Sequence, residues 1–350
     1  MTLDSQCRQF LDAISKAKRP PWNELGVSES RAVFTNLKDA FGEGPPMHSV
    51  DERWLTRPAP NADSSIGSVS SPDSNPTVRI RIYRPTNAST GPSQASPAWT
   101  LFHGGGWILG DLDSHDTMAR RLAESSNAVV ISVDYRRAPE HVHPIPILDC
   151  YAATWAVIDQ AENLGIDRDR ISLIGDSAGG HLAASVASLS TTKHPGSIHQ
   201  LTMLYPVISP SLDTPSYLEF AEGFGLQRST MQWFWENYAG TPMNAITADP
   251  TTATPLDLMN CNIASFPPTH VITAQYDVLR DEGICFANRL REAGVPTTHQ
   301  NYDGVIHGFI HFAGVISAGE RAFQDFAKQP PQMPPQMPPQ TPPQTPSETL

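Results

Sequence analysis

A serine held between two glycines constrains the fold of this chain more than any other feature. It lies in the pentapeptide Gly175-Asp176-Ser177-Ala178-Gly179. The apolar run at 171–174 predicts a strand before the serine, and the small residues at 180–187 predict a helix after it. So sharp a turn needs glycine around the serine, because bulky neighbours would clash there, and it raises the serine hydroxyl above a sheet. The pattern therefore predicts a nucleophile elbow.

A second glycine-rich segment lies upstream, at the spacing that the same chemistry requires. It reads His103-Gly104-Gly105-Gly106-Trp107 and follows the apolar run at 99–102. Consecutive glycines turn backbone N–H groups into a cavity that side chains would otherwise fill. The N–H groups of Gly104, Gly105, Gly106 and Ala178 are candidate donors to the oxyanion of a tetrahedral intermediate. Alone this segment would read equally well as a flexible loop, but the elbow downstream favours a catalytic role.

Together the two motifs resemble the signatures of the hormone-sensitive-lipase-like, or GDXG, esterases. The segment 133–141 is similar to that family's Asp-Tyr-Arg-Leu-Ala-Pro-Glu sequence, with Arg137 in place of the usual apolar residue. The resemblance extends from about Val78 to Gly319. It implies an α/β-hydrolase fold, with a mostly parallel central sheet flanked by helices and covered by a helical cap. Its motif residues are His103, which we expect to shape the loop, together with Gly175, Asp176 and Gly179.

The remaining members of a catalytic triad are expected downstream, because the order in this fold is Ser, then Asp or Glu, then His. His307 stands in a glycine-flanked segment similar to the family's His-Gly-Phe signature. His299 and His311 are interpreted as ordinary surface or core residues. Asp277 lies just past the predicted strand at 271–274, where enzymes built on parallel sheets place catalytic groups.

Two other acids, Asp281 and Glu282, compete with Asp277 on chemistry alone. They fall in the first turn of a predicted helix that runs to about Ala293, where acids are favoured by the helix dipole. Asp277 also matches the acid of the family's Asp-x-Leu-x-Asp-Glu pattern. The sequence therefore predicts Ser177 as nucleophile, His307 as general base and Asp277 as its partner, with no metal or organic cofactor required.

Beyond the motifs, strand and helix patterns alternate along the chain, which indicates βαβ units and a mostly parallel sheet. The strand patterns lie at 78–83, 99–102, 129–133, 171–174, 201–205 and 269–274, and the helical patterns at 115–126, 145–161 and 178–190.

The predicted organisation has three parts. Residues 1–45 form N-terminal cap helices, with apolar spacing at 7–16 and 29–41, although helices that merely pad the domain are an open alternative. Residues 46–328 form the catalytic domain, which includes an exposed loop at 58–76 and a cap insert at about 207–265. Residues 329–350 repeat Pro-Pro-Gln units and predict a disordered tail, either inert or a ligand for a proline-binding domain.

Aromatic residues are the candidates for the substrate pocket. Trp107 and Phe224 are the two that we single out. The alternative is that the aromatics of the insert pack with one another in a satellite core.

Composition and charge limit the classes of binding partner and the cellular location that we expect. A formal net charge of −12 argues against nucleic acid and against an anionic membrane surface. The four cysteines are scattered without metal-ligand spacing, and the chain shows neither a signal-peptide pattern nor a long apolar run, so we expect free thiols in a cytoplasmic protein. Whether it forms a homodimer is open.

The expected activity is hydrolysis of a short-to-medium acyl ester of a small molecule through an acyl-enzyme. A deacetylase, lactonase or amidase would share all these residues, so those alternatives remain open. A non-hydrolytic ligand receptor of this family would lack the triad histidine, whereas His307 is present.

Overall fold

The fold is seen in a computed structural model that describes residues 2–56, 77–87, 95–247, 254, 256–264 and 266–327. The strands are β1 (Ser49–Thr56), β2 (Thr77–Arg84), β3 (Ser96–Phe102), β4 (Val129–Asp134), β5 (Ile166–Asp176), β6 (Leu201–Leu204), β7 (Thr269–Tyr276) and β8 (Thr297–Ile306). The helices are α1 (Ser5–Lys16), α2 (Trp22–Leu25), α3 (Val27–Thr35), α4 (Lys38–Phe41), α5 (Asp116–Ser126), α6 (Ile145–Asp159), α7 (Ala161–Leu164), α8 (Ala178–Lys193), α9 (Pro215–Glu219), α10 (Arg228–Ala239), α11 (Arg280–Glu292) and α12 (Ser317–Ala327).

The eight strands of the described residues belong to one sheet, in the order β1-β2-β4-β3-β5-β6-β7-β8. The pairs β1–β2 and β2–β4 are antiparallel, and every other pair is parallel. Helices cover the parallel strands, which is why these strands are apolar runs rather than alternating patterns. The carboxyl ends of β5 and β7 lie at the same edge of the sheet, and this edge holds the residues discussed below.

The six predicted strands are confirmed as β2 to β7, but the two edge strands, β1 and β8, were not predicted. Strand β1 is exposed over most of its length, and its Trp54 is 63% accessible. Strand β8 is polar until its last three residues, which are buried. Edge strands face solvent along one side, so their sequences need no apolar alternation that could be recognised.

Helices occur where the sequence predicts them, with one difference at the N-terminus. The pattern at 29–41 forms two helices, α3 and α4, because α3 ends at its C-cap Asn36. In the described part of the insert at 207–265, the regular elements are α9, α10 and two short 3-10 turns, Met243–Ala245 and Leu258–Asn260. The predicted loop at 58–76 and the predicted tail at 329–350 lie outside the described residues.

Helix α10 packs against the glycine-rich segment that follows β3. A Cβ atom on Gly106 would collide with the ring of Phe234. Helix α10, which covers this edge of the sheet, therefore touches the glycine-rich segment directly.

All four cysteines are free thiols, three of them buried and Cys285 exposed. None of the helices in the described ranges has the length and apolar character needed to cross a bilayer.

Candidate active site

Ser177 occupies the turn between β5 and α8 in a backbone conformation that non-glycine residues rarely adopt, with φ 53° and ψ −120°. Its backbone N–H donates to the carbonyl of Leu204 on β6 at 2.8 Å, which holds the turn against the sheet. A Cβ on Gly179 would strike the carbonyl oxygen of Phe102, and one on Gly175 would strike the carbonyl of Gly179. Both glycines are required by close backbone approach, as the elbow pattern predicts.

Three side chains from different strands meet at this turn. Nε2 of His307 lies 3.0 Å from Oγ of Ser177, and Nδ1 of His307 lies 2.7 Å from Oδ2 of Asp277. His307 directly follows β8, and Asp277 directly follows β7. The other carboxylate oxygen of Asp277 accepts the backbone N–H of Leu279 at 3.0 Å, which fixes the carboxylate plane. An arrangement of this kind can move a proton from the hydroxyl to the imidazole.

The competing acids are engaged elsewhere. Asp281 accepts the N–H of Ser216 at 2.9 Å and pairs with Arg280 at 2.7 Å. Glu282 is buried and accepts the N–H of Ile208 at 2.8 Å, and burial raises its pKa well above the ordinary value. Both acids therefore attach the start of α11 to the insert.

The other downstream histidines also have surroundings of their own. Nε2 of His299 lies 2.9 Å from the hydroxyl of Thr273. His311 is buried in a stack with His115, at 4.3 Å between ring centroids, and burial lowers its pKa well below the ordinary value. Neither of these described rings forms a hydrogen bond with Ser177.

Backbone geometry orients the N–H groups of the glycine-rich segment. Gly105 and Gly106 have φ values of 103° and 60°. Nδ1 of His103 lies 2.9 Å from the carbonyl oxygen of Gly104, and the carbonyl of Gly105 accepts the N–H of Leu109 at 2.8 Å. A planar trans peptide directs its N–H opposite its carbonyl, so these two bonds set the directions of the Gly105 and Gly106 N–H groups. Within the described residues, neither these groups nor the Ala178 N–H has an acceptor.

Gly104 differs from its neighbours. Its N–H donates to Oδ1 of Asp176 at 2.9 Å. This group is therefore already occupied, and the predicted oxyanion-hole role of Gly104 is corrected to a structural one. The same bond explains Asp176, because it ties the glycine-rich segment to the elbow.

A buried polar network lies behind the segment. Burial by itself would raise the pKa of Asp176, but its attraction to and hydrogen bond with His115, whose Nε2 lies 3.3 Å from Oδ1, lower the pKa to about 2. Burial lowers the pKa of His103 to about 3, so its ring is neutral. The His103 ring stacks on Tyr135 at 4.2 Å, and the Tyr135 hydroxyl donates to the His103 carbonyl at 2.8 Å. His103 therefore supports the loop, as expected.

The two candidate pocket residues lie in different environments. Trp107 has no accessible surface and stacks on Tyr238 of α10 at 4.2 Å. It is a core residue that joins the loop to α10, which corrects its predicted position in the pocket lining. Phe224 is half-buried and stacks on Tyr276 at 5.3 Å, one residue before Asp277. It stays a candidate.

Sequence reasoning missed an arginine that reaches this site from the N-terminal helices. Arg31 on α3 donates to the carbonyl of Ile108 at 2.8 Å and to that of Ala138 at 2.8 Å. It also pairs with Glu140 through two bonds of 2.7 Å. A lone arginine on an amphipathic helix carries no signal of partners so far away in sequence.

Comparisons with known proteins agree with these features. A family with the α/β-hydrolase fold matches residues 99–311. The carboxylesterase NlhH of Mycobacterium tuberculosis is 38% identical to this chain over 247 residues, which cover 70% of this chain and 75% of NlhH. The ethyl acetate hydrolase of Pseudomonas putida is 32% identical to this chain over 311 residues, which cover 85% of this chain and 96% of the hydrolase. The crystal structure of an α/β-hydrolase enzyme from the metagenome of Lake Arreo, Spain, matches with a TM-score of 0.81 and 34% identity, covering 93% of this chain and 96% of the other. The predicted fold class is confirmed.

Proposed function

Since the chain belongs to the hormone-sensitive-lipase-like esterases of the α/β-hydrolase superfamily and is a carboxylic-ester hydrolase, we propose that it cleaves short-to-medium acyl esters of small molecules through Ser177, His307 and Asp277. The observation that carries this proposal is the pair of contacts at His307, 3.0 Å to the serine hydroxyl and 2.7 Å to the aspartate. These contacts support His307 as a base that lies between the buried hydroxyl of Ser177 and an orienting acid, Asp277.

The first step is acylation. Nε2 of His307 takes the proton of Ser177 as Oγ attacks the ester carbonyl carbon, and Asp277 stabilises the imidazolium that forms. The N–H groups of Gly105, Gly106 and Ala178 bind the oxyanion of the tetrahedral intermediate, and by analogy each donor contributes about 3 kcal/mol to lowering the barrier. The imidazolium then returns its proton to the leaving alcohol, and the ester of Ser177 remains.

The second step is hydrolysis of the acyl-enzyme. His307 takes a proton from water, the hydroxide attacks the acyl carbonyl, and the same donors bind the second oxyanion. Collapse of this intermediate breaks the bond to Oγ, and the proton on His307 returns to Ser177. The products are a carboxylic acid and an alcohol.

Support for a short acyl group comes from helix α10, which covers the oxyanion segment. Phe234 of α10 lies directly over Gly106, and Trp107 fixes the same helix by stacking on Tyr238. A covered nucleophile favours a closed pocket, in which each methylene that finds no apolar surface forgoes about 0.8 kcal/mol of binding. The relative from Pseudomonas putida is named for ethyl acetate, a short ester.

The test is hydrolysis of p-nitrophenyl acetate, butyrate, octanoate and palmitate without detergent. We expect the three shorter esters to turn over and palmitate to be slowest. Ser177→Ala and His307→Ala should each lower kcat on the order of 10⁴-fold or more, because the triad acts as a unit, while the matched control His299→Ala should remain active. Near-normal turnover by the His307 variant would contradict the assignment of the base, and a palmitate rate above that of butyrate would contradict the closed pocket.

A further inference from the structure

One guanidinium connects α3 both to the oxyanion loop, defined as residues 103–110, and to the segment 138–140. Arg31 donates through Nε to the carbonyl of Ile108 and through Nη2 to the carbonyl of Ala138, both at 2.8 Å. Nη1 and Nη2 also bind the two carboxylate oxygens of Glu140, each at 2.7 Å. Four acceptors on one planar group fix its position and its plane, which a single ion pair would not do.

The two residues whose carbonyls Arg31 binds also donate their own N–H groups to carbonyls of the oxyanion loop. The N–H of Ile108 donates to the carbonyl of Gly105 at 3.2 Å, and the N–H of Ala138 donates to the carbonyl of Trp107 at 3.0 Å. The Gly105 carbonyl belongs to the peptide whose N–H is that of Gly106. Two successive hydrogen bonds therefore connect Arg31, through Ile108, to the peptide whose N–H is a proposed oxyanion donor.

Stability alone does not explain this arrangement. The side chains of Arg31 and Glu140 are 24% and 53% exposed, and ion pairs this accessible contribute little net stability. The two backbone carbonyls are the more specific partners, because they belong to the segments that set the loop's shape. A second arginine, Arg137, donates to the carbonyl of Gly110 at the far end of the loop.

We propose that Arg31 is a positioning residue for the oxyanion hole, which holds the Gly105–Gly106 peptide in its productive direction from the N-terminal helix α3. The proposal rests on the role given above to Gly105 and Gly106. It makes α3 part of the catalytic apparatus rather than padding, and it assigns to the N-terminal region an effect on the chemical step.

The experiment compares Arg31→Ala and Arg31→Lys with Glu140→Gln, which keeps both carbonyl bonds, and with Arg121→Ala as a matched control. Arg121 also bridges the N-terminal region and the domain, through the carbonyl of Glu43 at 3.3 Å, but it does not touch the loop. Steady-state kinetics use p-nitrophenyl butyrate. The probe of the oxyanion hole is an alkyl trifluoromethyl ketone, whose adduct with Ser177 carries an oxyanion.

For Arg31→Ala we expect kcat to fall about tenfold with little change in KM, a smaller loss than the roughly 10²–10³ caused by deleting a whole donor. The inhibition constant of the ketone should rise by the same factor as kcat/KM falls. Arg31→Lys should lie between the parent and Arg31→Ala, because an ammonium cannot bind all four acceptors. Glu140→Gln and Arg121→Ala should keep kcat within about twofold of the parent value, because neither substitution removes a hydrogen bond to the oxyanion loop.

Three results would overturn the proposal. They are unchanged kcat in both Arg31 variants, a loss confined to KM, or a ketone affinity that stays constant while kcat falls. If Arg31→Ala does not fold, Arg31→Lys decides the matter by the same measurements. An inactive parent or an active Ser177→Ala would instead remove the proposed function, so the two failures are distinguishable.

Discussion

The buried carboxylate of Asp176 offers a sharp test of how the elbow and the oxyanion loop are joined. Oδ1 accepts the N–H of Gly104 at 2.9 Å and lies 3.3 Å from Nε2 of His115. Asp176→Asn keeps the shape and one acceptor oxygen but removes the charge. The variant therefore measures the ionic part of this connection.

The size of the effect follows from the pKa. A pKa of about 2 in the folded protein, against an ordinary value of 3.8, corresponds to about 2 kcal/mol of stability at pH 7. Because the folded-state pKa lies below the unfolded one, this contribution is complete above about pH 5 and is lost as the pH falls toward 2. At pH 3 about half of it should remain.

The assay is urea unfolding of the parent and of Asp176→Asn at pH 7 and at pH 3. We expect the variant to be less stable by about 2 kcal/mol at pH 7, with the difference shrinking by about 1 kcal/mol at pH 3. A difference that is absent at pH 7, or that does not change between the two pH values, would refute the reasoning that an ionised Asp176 fastens the loop.

Two further substitutions test the loop and the start of α11. Gly106→Ala should lower kcat about 10²-fold and also stability, because its φ of 60° disfavours alanine and its Cβ would collide with Phe234; adding Phe234→Ala should recover part of the stability in a thermal melt, and no recovery would argue against the collision. Glu282→Gln should become more stable relative to the parent as the pH rises above about 4.5, because burial raises the pKa of Glu282 and the folded parent must retain the proton. Urea unfolding should show a larger stability advantage of the variant over the parent at pH 8 than at pH 5, and a constant difference would contradict this reasoning.

The features predicted from sequence are those whose cause is local. The elbow needs Gly175 and Gly179 because a side chain at either position would meet backbone atoms of the turn or of β3, and this requirement is visible as a motif. The buried strands β3 to β7 are apolar because helices cover both faces, so they too are visible. Asp277 follows a recognisable strand and matches the family's acid, whereas Asp281 and Glu282 fall in a predicted helix.

The features that sequence could not supply depend on contacts between distant segments. Gly104 looks like its two neighbours in the sequence, and only the direction of its N–H toward Asp176 separates it from them. Trp107 reads as a pocket aromatic until its stacking on Tyr238 is seen. Arg31 and Ile108 lie 77 positions apart, and no periodicity or spacing connects them.

The stacking of Trp107 on α10 has a consequence for how a substrate reaches the serine. If α10 swung outward as a lid, it would pull on Trp107 and disturb the adjoining N–H groups at every turnover. Phe224 is attached differently, because it lies between two glycines with φ values of 87° and 94°, is only half-buried and stacks on Tyr276. A displacement of this short segment would therefore leave the oxyanion donors in their places, whereas a displacement of α10 would disturb them.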